Sequence, residues 1–150
     1  AERTGQIIEL GEWVMGEVAR HCQYWDAMGL KSFRVCVNIS PLQFNQSNLP
    51  QWIAGFLERS GLDARRLELE LTESSVMTRA GQATSTLEAL STLGTTIAID
   101  DFGIGYSSLA YMKRFAVDRL KIDRSFVRDI PQDTNDFRWR QGIGLSSQHW

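Results

Sequence analysis

Hydrophobic residues recur with two different spacings along the chain. Between residues 7 and 28 they fall at every third or fourth position, which is the spacing of one face of a helix. Between residues 33 and 39 apolar and polar residues alternate, which is the spacing of a strand. Pro41 ends this strand because proline has no N–H to donate to a β-ladder. The pattern therefore predicts a first helix, a stop at Gly29, and then a first strand.

The same order of helix and strand repeats. Asn48 and Pro50 are typical of a helix start, and Gly61 and Gly94 are typical helix stops. Helices are predicted at 49–60, 87–93 and 107–115, and strands at 67–72, 95–100 and 119–123. Strands that alternate with helices predict an α/β fold with a parallel sheet. A pitch of roughly 30 residues fits about half of a (β/α) barrel, but an open doubly wound sheet has a similar pitch.

Length, composition and charge narrow the class of protein. The chain has 150 residues, 43% hydrophobic and 23% charged, with a net charge of -2. These values are typical of a globular domain, while a complete barrel of about 250 residues does not fit. The chain has no excess of basic residues, so we expect no nucleic-acid polymer as partner. No apolar run is long enough to span a membrane. Cys22 and Cys36 form no metal-binding or disulfide pattern, so we expect a reducing cytoplasm.

In each predicted strand, the phase opposite the apolar residues carries a polar residue near the carboxyl-terminal end. They are Asn38, Glu70, Asp100 and Lys121. The carboxyl ends of parallel strands form the ligand-binding face of α/β folds, so these side chains are expected to converge. Carboxylate and amide oxygens suit Mg²⁺ or Mn²⁺, and the lysine could hold a phosphate or a water molecule.

Each residue alone also has a purely structural interpretation. Asn38 could be a turn residue, and Asp100 could cap the segment that follows it. Glu70 could be a buried carboxylate neutralised by a cation, since an unpaired buried charge is expensive. Lys121 could be an ordinary exposed strand residue.

Four segments carry a resemblance to a known family. They are Val37-Asn38-Ile39-Ser40, Leu67-Glu68-Leu69-Glu70-Leu71-Thr72-Glu73-Ser74, Ala98-Ile99-Asp100-Asp101-Phe102-Gly103-Ile104-Gly105 and Leu120-Lys121-Ile122-Asp123. In this order and spacing they closely resemble the EAL domain family, over about residues 4 to 136. That family consists of bacterial cyclic di-GMP phosphodiesterases built on a modified α/β barrel. The resemblance thus implies a partial (β/α) barrel of about four βα units.

The resemblance also implies a role for individual residues. Metal ligands are implied at Asn38, Glu70 and Asp100. Asp101 matches a carboxylate associated with a second metal, Lys121 a catalytic lysine near the attacking water, and Glu73 a glutamate that stabilises the loop after the Asp-Asp pair. Two metal ions of this kind, Mg²⁺ or Mn²⁺, activate water for in-line attack on a phosphodiester and would open cyclic di-GMP to linear pGpG.

The resemblance extends over only part of the family's pattern. It implies a partial EAL domain at 1–136. Residues 137–150 diverge from the family and have no sustained apolar period, so they are expected to form a disordered tail. The Glu-Ala-Leu segment would precede Ala1, and the later strands with a further glutamate are missing. We therefore expect this isolated chain to be inactive as a phosphodiesterase. Two alternatives stay open: a non-catalytic module that binds cyclic di-GMP or a protein, and a truncated gene product completed by self-association or by another chain. An upstream sensory or cyclase-like domain, or a membrane tether of a parent protein, stays undetermined.

Overall fold

Four strands and five α-helices make up the part of the chain that the computed structural model describes, residues 6–78, 80–103 and 115–125. The strands are β1 (Val35–Ile39), β2 (Leu67–Thr72), β3 (Thr96–Phe102) and β4 (Arg119–Ile122). The helices are α1 (Ile7–Ala27), α2 (Pro41–Phe44), α3 (Leu49–Ser60), α4 (Glu73–Met77) and α5 (Ala80–Thr92), with a 3₁₀ turn at Ala64–Arg66.

The strands form one parallel sheet in the order β1-β2-β3-β4. Each strand lies beside the next one along the chain, with no reversal of the order. A doubly wound sheet changes direction at a switch point, whereas the wall of a barrel does not. The predicted parallel α/β arrangement is confirmed, and the strand order is that of a barrel wall.

One phase of β1, β2 and β3 forms the core beneath the helices. Leu69 of β2 and Ile99 of β3 are fully buried, and Val37 of β1 belongs to the same apolar cluster. The helices contribute these buried residues to the cluster: Ile53, Phe56, Val76, Leu87 and Leu90. Each such side chain stabilises the fold by about 1.5–3 kcal/mol when it is removed from water. The opposite phase, which is mostly polar, is left to form the candidate site.

Most predicted helix and strand boundaries agree with the structure, but α5 begins at Ala80, seven residues before the predicted start at Leu87. α1 ends just before Gly29, whose φ of 80° is a left-handed conformation that favours glycine. Gly61 and Gly94 follow α3 and α5 in the same conformation, with φ values of 66° and 90°. Asn48 does precede α3, although its side chain makes no capping hydrogen bond.

Two short helices were not predicted. α2 follows β1 directly because Ser40 and Gln43 form a reciprocal capping box, in which each side chain bonds the other's backbone N–H. α4 (Glu73–Met77) also follows its strand directly, although the residue before it, Thr72, makes no capping hydrogen bond. Helices of four or five residues are too short to show a hydrophobic period. The predicted helix at 107–115, apart from Phe115, and the predicted tail at 137–150 lie outside the described residues.

Among the described helices, none has both the length and the apolar character needed to cross a bilayer. α1 is long enough, with 21 residues, but it carries charged side chains throughout.

A partly buried ion pair attaches the end of α1 to the start of β2. Arg66 Nη1 donates to both carboxylate oxygens of Asp26, at 2.8 and 2.9 Å. The guanidinium also lies over the ring of Phe33, 4.5 Å from its centroid. Nε and Nη2 of Arg66 are buried without a hydrogen-bond partner among the described residues. The positive charge of Arg66 is therefore neutralised mainly by Asp26.

Replacing Asp26 by asparagine should therefore destabilise the fold. We expect Asp26→Asn to lower the free energy of unfolding by about 1–2 kcal/mol, less than for a fully buried pair because Asp26 is partly exposed. Urea denaturation measures this directly. Glu17→Gln, which removes an exposed ion pair with Arg20 on the same helix, is the control and should leave the midpoint nearly unchanged. Equal effects of the two variants would contradict this account of Arg66.

Candidate functional site

The polar phase of the sheet brings the predicted residues to its carboxyl-terminal edge. Asn38 of β1 lies opposite Glu70 of β2, and Thr72 of β2 lies opposite Asp100 of β3. Lys121 of β4 reaches back across β3 towards both carboxylates. The site thus combines side chains from all four described strands.

Lys121 joins two carboxylates from neighbouring strands. Its Nζ donates to Glu70 Oε2 at 2.7 Å and to Asp100 Oδ2 at 3.3 Å. The hydrogen bond to Glu70 raises the pKa of Lys121, and the bond to Asp100 acts in the same direction against the effect of burial. A raised pKa keeps the ammonium protonated throughout the neutral range, and the charge would be lost only at strongly basic pH. In this state Lys121 acts as a cation and not as a base.

A small residue lies on the strand between these partners. Ala98 of β3 is fully buried and lies in register between Glu70 of β2 and Arg119 of β4. The ion pair of Lys121 with Glu70 thus joins two strands that are not neighbours, across a strand that carries only a methyl group opposite Glu70.

The two aspartates form a bulge in β3. Ile99 pairs with Leu120 and Phe102 pairs with Ile122, so Asp100 and Asp101 together stand opposite Lys121. Asp101 takes up the extra residue with a φ of 55°, a conformation that aspartate tolerates better than most residues. The bulge shifts the phase of the strand, which buries both Ile99 and Phe102 in the core. The bulge also explains why β3 continues to Phe102, beyond the predicted end at residue 100. The alternation of apolar and polar residues is interrupted at the bulge, but the strand is not.

Glu73 stabilises the backbone that follows the bulge. Its Oε2 accepts a hydrogen bond from the N–H of Gly103 at 3.2 Å, and the side chain is 5% exposed. Gly103 has a φ of 105°, which only glycine adopts readily. A charged acceptor at the start of α4 therefore fixes the turn that follows Asp101.

The predicted site residues are brought together to different degrees. Glu70, Asp100 and Lys121 are in direct contact, Asn38 is a neighbour of Glu70 in the sheet and is exposed, and Asp101 is exposed beside Asp100. Among the described residues, one group of three cysteine and glutamate side chains also brings its possible metal-ligating atoms together, and it is a different group. Cys36, Glu68 and Glu70 place their ligand atoms within 4.8 Å of one another.

The charges around that group do not suit a cation. Glu68 Oε2 already lies 3.1 Å from Arg34 Nη1 and 3.4 Å from Arg119 Nη1. Burial raises the pKa of the Cys36 thiol, and the charges of Glu68 and Glu70 raise it further, so the sulfur stays protonated. Glu70 and Asp100 instead offer carboxylate oxygens, and Asn38, which is paired with Glu70 in the sheet, offers an amide oxygen. This donor set fits a hard divalent ion.

Glu68 was not singled out by the sequence analysis. It is 3% exposed and lies two positions before Glu70, on the same face of β2. This spacing of two was the available signal for a second inward-facing carboxylate. Its arginine partners come from β4 and from the residue before β1, and only the sheet register reveals them.

Comparison with known proteins agrees with this architecture. The EAL domain family matches residues 1–147. The chain is 43% identical over 136 residues to the bifunctional diguanylate cyclase/cyclic di-GMP phosphodiesterase MucR of Pseudomonas aeruginosa, covering 91% of this chain and 20% of MucR. It is 41% identical over 148 residues to the cyclic di-GMP phosphodiesterase NbdA of the same organism, covering 99% of this chain and 19% of NbdA.

A solved structure of the MucR phosphodiesterase in complex with c-di-GMP has the same fold. It superposes with a TM-score of 0.84 at 41% identity, over 95% of this chain and 58% of that one. The chain thus spans about a fifth of the curated relatives and somewhat more than half of this structural neighbour. Because the family model extends over residues 1–147, the chain belongs to the EAL domain family.

Proposed function

We propose that this chain supplies part of the metal site of a cyclic di-GMP phosphodiesterase. Asn38, Glu70 and Asp100 would hold a divalent ion, Mg²⁺ or Mn²⁺. One observation carries the proposal: two carboxylates from adjacent strands converge on the single ammonium of Lys121. Dependence on divalent metals is a general property of EAL domains.

Each residue has a defined task in this proposal. A bound divalent ion would lower the pKa of a water molecule and stabilise negative charge on a phosphodiester. Lys121 keeps a positive charge beside Glu70, where it can orient a water molecule or a phosphate oxygen. Asp101 offers a carboxylate for a second ion, and Glu73 fixes the turn that carries Asp101 through its bond to Gly103.

The nucleotide is inferred from the relatives. MucR and NbdA are named as cyclic di-GMP phosphodiesterases, and the neighbouring structure holds c-di-GMP. We propose that this chain, which covers about a fifth of either protein, binds a divalent ion and the cyclic dinucleotide without hydrolysing the nucleotide. The division into a partial EAL domain at 1–136 and a tail at 137–150 stays a prediction.

Binding can be tested by thermal unfolding. We expect Mn²⁺ with cyclic di-GMP to raise the midpoint temperature, because ligands that bind only the folded state stabilise it. The free energy of unfolding rises by about 2.7 kcal/mol when the ligand is at a hundredfold excess over its Kd. Glu70→Gln should abolish the shift, whereas Glu58→Gln, on the exposed face of α3, should retain it. A midpoint that is indifferent to metal and nucleotide would contradict the proposal. It would favour a protein-interaction module or a truncated product.

Hydrolysis is tested separately by chromatography of the nucleotide. We expect no linear pGpG after incubation of this chain with cyclic di-GMP and Mn²⁺, because groups that act together in catalysis lose most of their effect when some are missing. Product formation that Glu70→Gln eliminates would show that the chain is a complete catalyst. The proposal of binding without turnover would then be wrong.

The role of Glu73 is tested by hydrogen exchange at the amide of Gly103. Glu73→Ala removes the acceptor, so we expect this amide to exchange at least tenfold faster. Glu73→Gln keeps an acceptor oxygen in nearly the same shape and should protect the amide much better. If the alanine variant exchanges at the wild-type rate, Glu73 does not fix this turn.

A further inference from the structure

The position of Lys121 depends on the register of a weakly anchored strand. β4 has four residues, of which Arg119, Leu120 and Lys121 are exposed and Ile122 is half-buried. A strand without a buried apolar phase is prone to change its register. The bulge at Asp100 and Asp101 loosens the pairing further, directly beside Lys121.

The register decides which carboxylate Lys121 meets. Glu68 and Glu70 lie two positions apart on the same face of β2, and Arg119 and Lys121 lie two positions apart on the same face of β4. A slip of two residues would keep these faces but would exchange the partners. Lys121 would then meet Glu68, or Arg119 would take the place of Lys121 beside Glu70.

Two contacts at the beginning of β4 oppose such a slip, in addition to the bond from the Asp123 N–H to the Phe102 carbonyl after its end. Arg119 Nη1 lies 3.4 Å from Oε2 of the buried Glu68. One residue earlier, Asp118 exchanges two hydrogen bonds with Ile97: its Oδ2 accepts from the Ile97 N–H at 2.8 Å, and its own N–H donates to the Ile97 carbonyl at 2.9 Å. These contacts lie before the bulge, where the pairing of β3 and β4 is regular.

Neutralisation of Glu68 does not by itself require Arg119. Arg34 Nη1 already donates to the same oxygen at 3.1 Å and comes from the opposite side of β2. Glu68 thus has one cation from the segment before β1 and a second from β4. The second cation links β4 to β2 across β3. Lys121 makes a similar link to Glu70, closer to the carboxyl-terminal edge of the sheet.

We propose that Arg119, held by Glu68, is a positioning residue that fixes the register of β4 and so directs Lys121 to Glu70 and Asp100. This inference deepens the proposed function, on which the importance of Lys121 rests. Arg119 acts through the strand and touches neither carboxylate of the candidate metal site.

Backbone NOEs measured by NMR on the metal-free chain test the register. The wild type should show contacts for the pairs Ala98 with Arg119 and Ile99 with Leu120. In Arg119→Ala and Arg119→Met we expect these contacts to disappear or to double into two registers. Arg119→Lys should restore one set of contacts. Arg34→Ala is the matched control, because it removes the other cation from Glu68 without altering β4, and it should leave the contacts unchanged.

The outcomes separate positioning from stability. A single wild-type register in both Arg119→Ala and Arg119→Met would overturn the inference, whatever the midpoint of unfolding. Loss of the contacts in Arg34→Ala as well would also overturn it, because neutralisation of Glu68 would then be the cause. The measurement uses neither metal nor nucleotide, so it is independent of the binding test. Mn²⁺ titration of the same variants then reports whether the register affects the candidate metal site. We expect paramagnetic broadening near Asn38 to be lost only in the variants that lose the register.

Discussion

Two carboxylates buried on the inner face of a parallel sheet determine much of this structure. Glu68 is 3% exposed and Glu70 is 8% exposed, and an unpaired carboxylate at such depth costs several kcal/mol. β4 supplies a cation to each of them, Arg119 to Glu68 and Lys121 to Glu70. The carboxylates therefore hold in place a strand that buries little apolar surface.

The same constraint connects stability with the candidate chemistry. The apolar phase of the strands packs under the helices and leaves the other phase free for charged side chains. These charges stack in two layers, a structural layer around Glu68 and a candidate metal-binding layer around Glu70. The bulge at Asp100 and Asp101 then keeps Phe102 in the core while Asp100 remains beside Lys121. Fold and site thus share the same residues of β2, β3 and β4.

Much of this arrangement could be predicted from the sequence, because it depends on local periodicity. The spacing of apolar residues located α1 and the four strands, and the rule that parallel strands end at one edge brought Glu70, Asp100 and Lys121 together. The short helices α2 and α4 were missed because they are too short to show a period. The partners of Glu68 were missed for another reason: Arg34 and Arg119 are far from it in sequence, and only the register between strands brings them close.

Ala98 shows how an apolar position can be subject to an electrostatic constraint. It is fully buried and would ordinarily be classed with the core, where a larger aliphatic residue is often tolerated after repacking. It lies, however, in register between Glu70 and Arg119, on the strand across which both cations of β4 reach the carboxylates of β2. We expect valine or leucine here to keep the position hydrophobic while crowding the space between the cations and their carboxylates. The residue at this position is thus subject to two cationic side chains that belong to another strand.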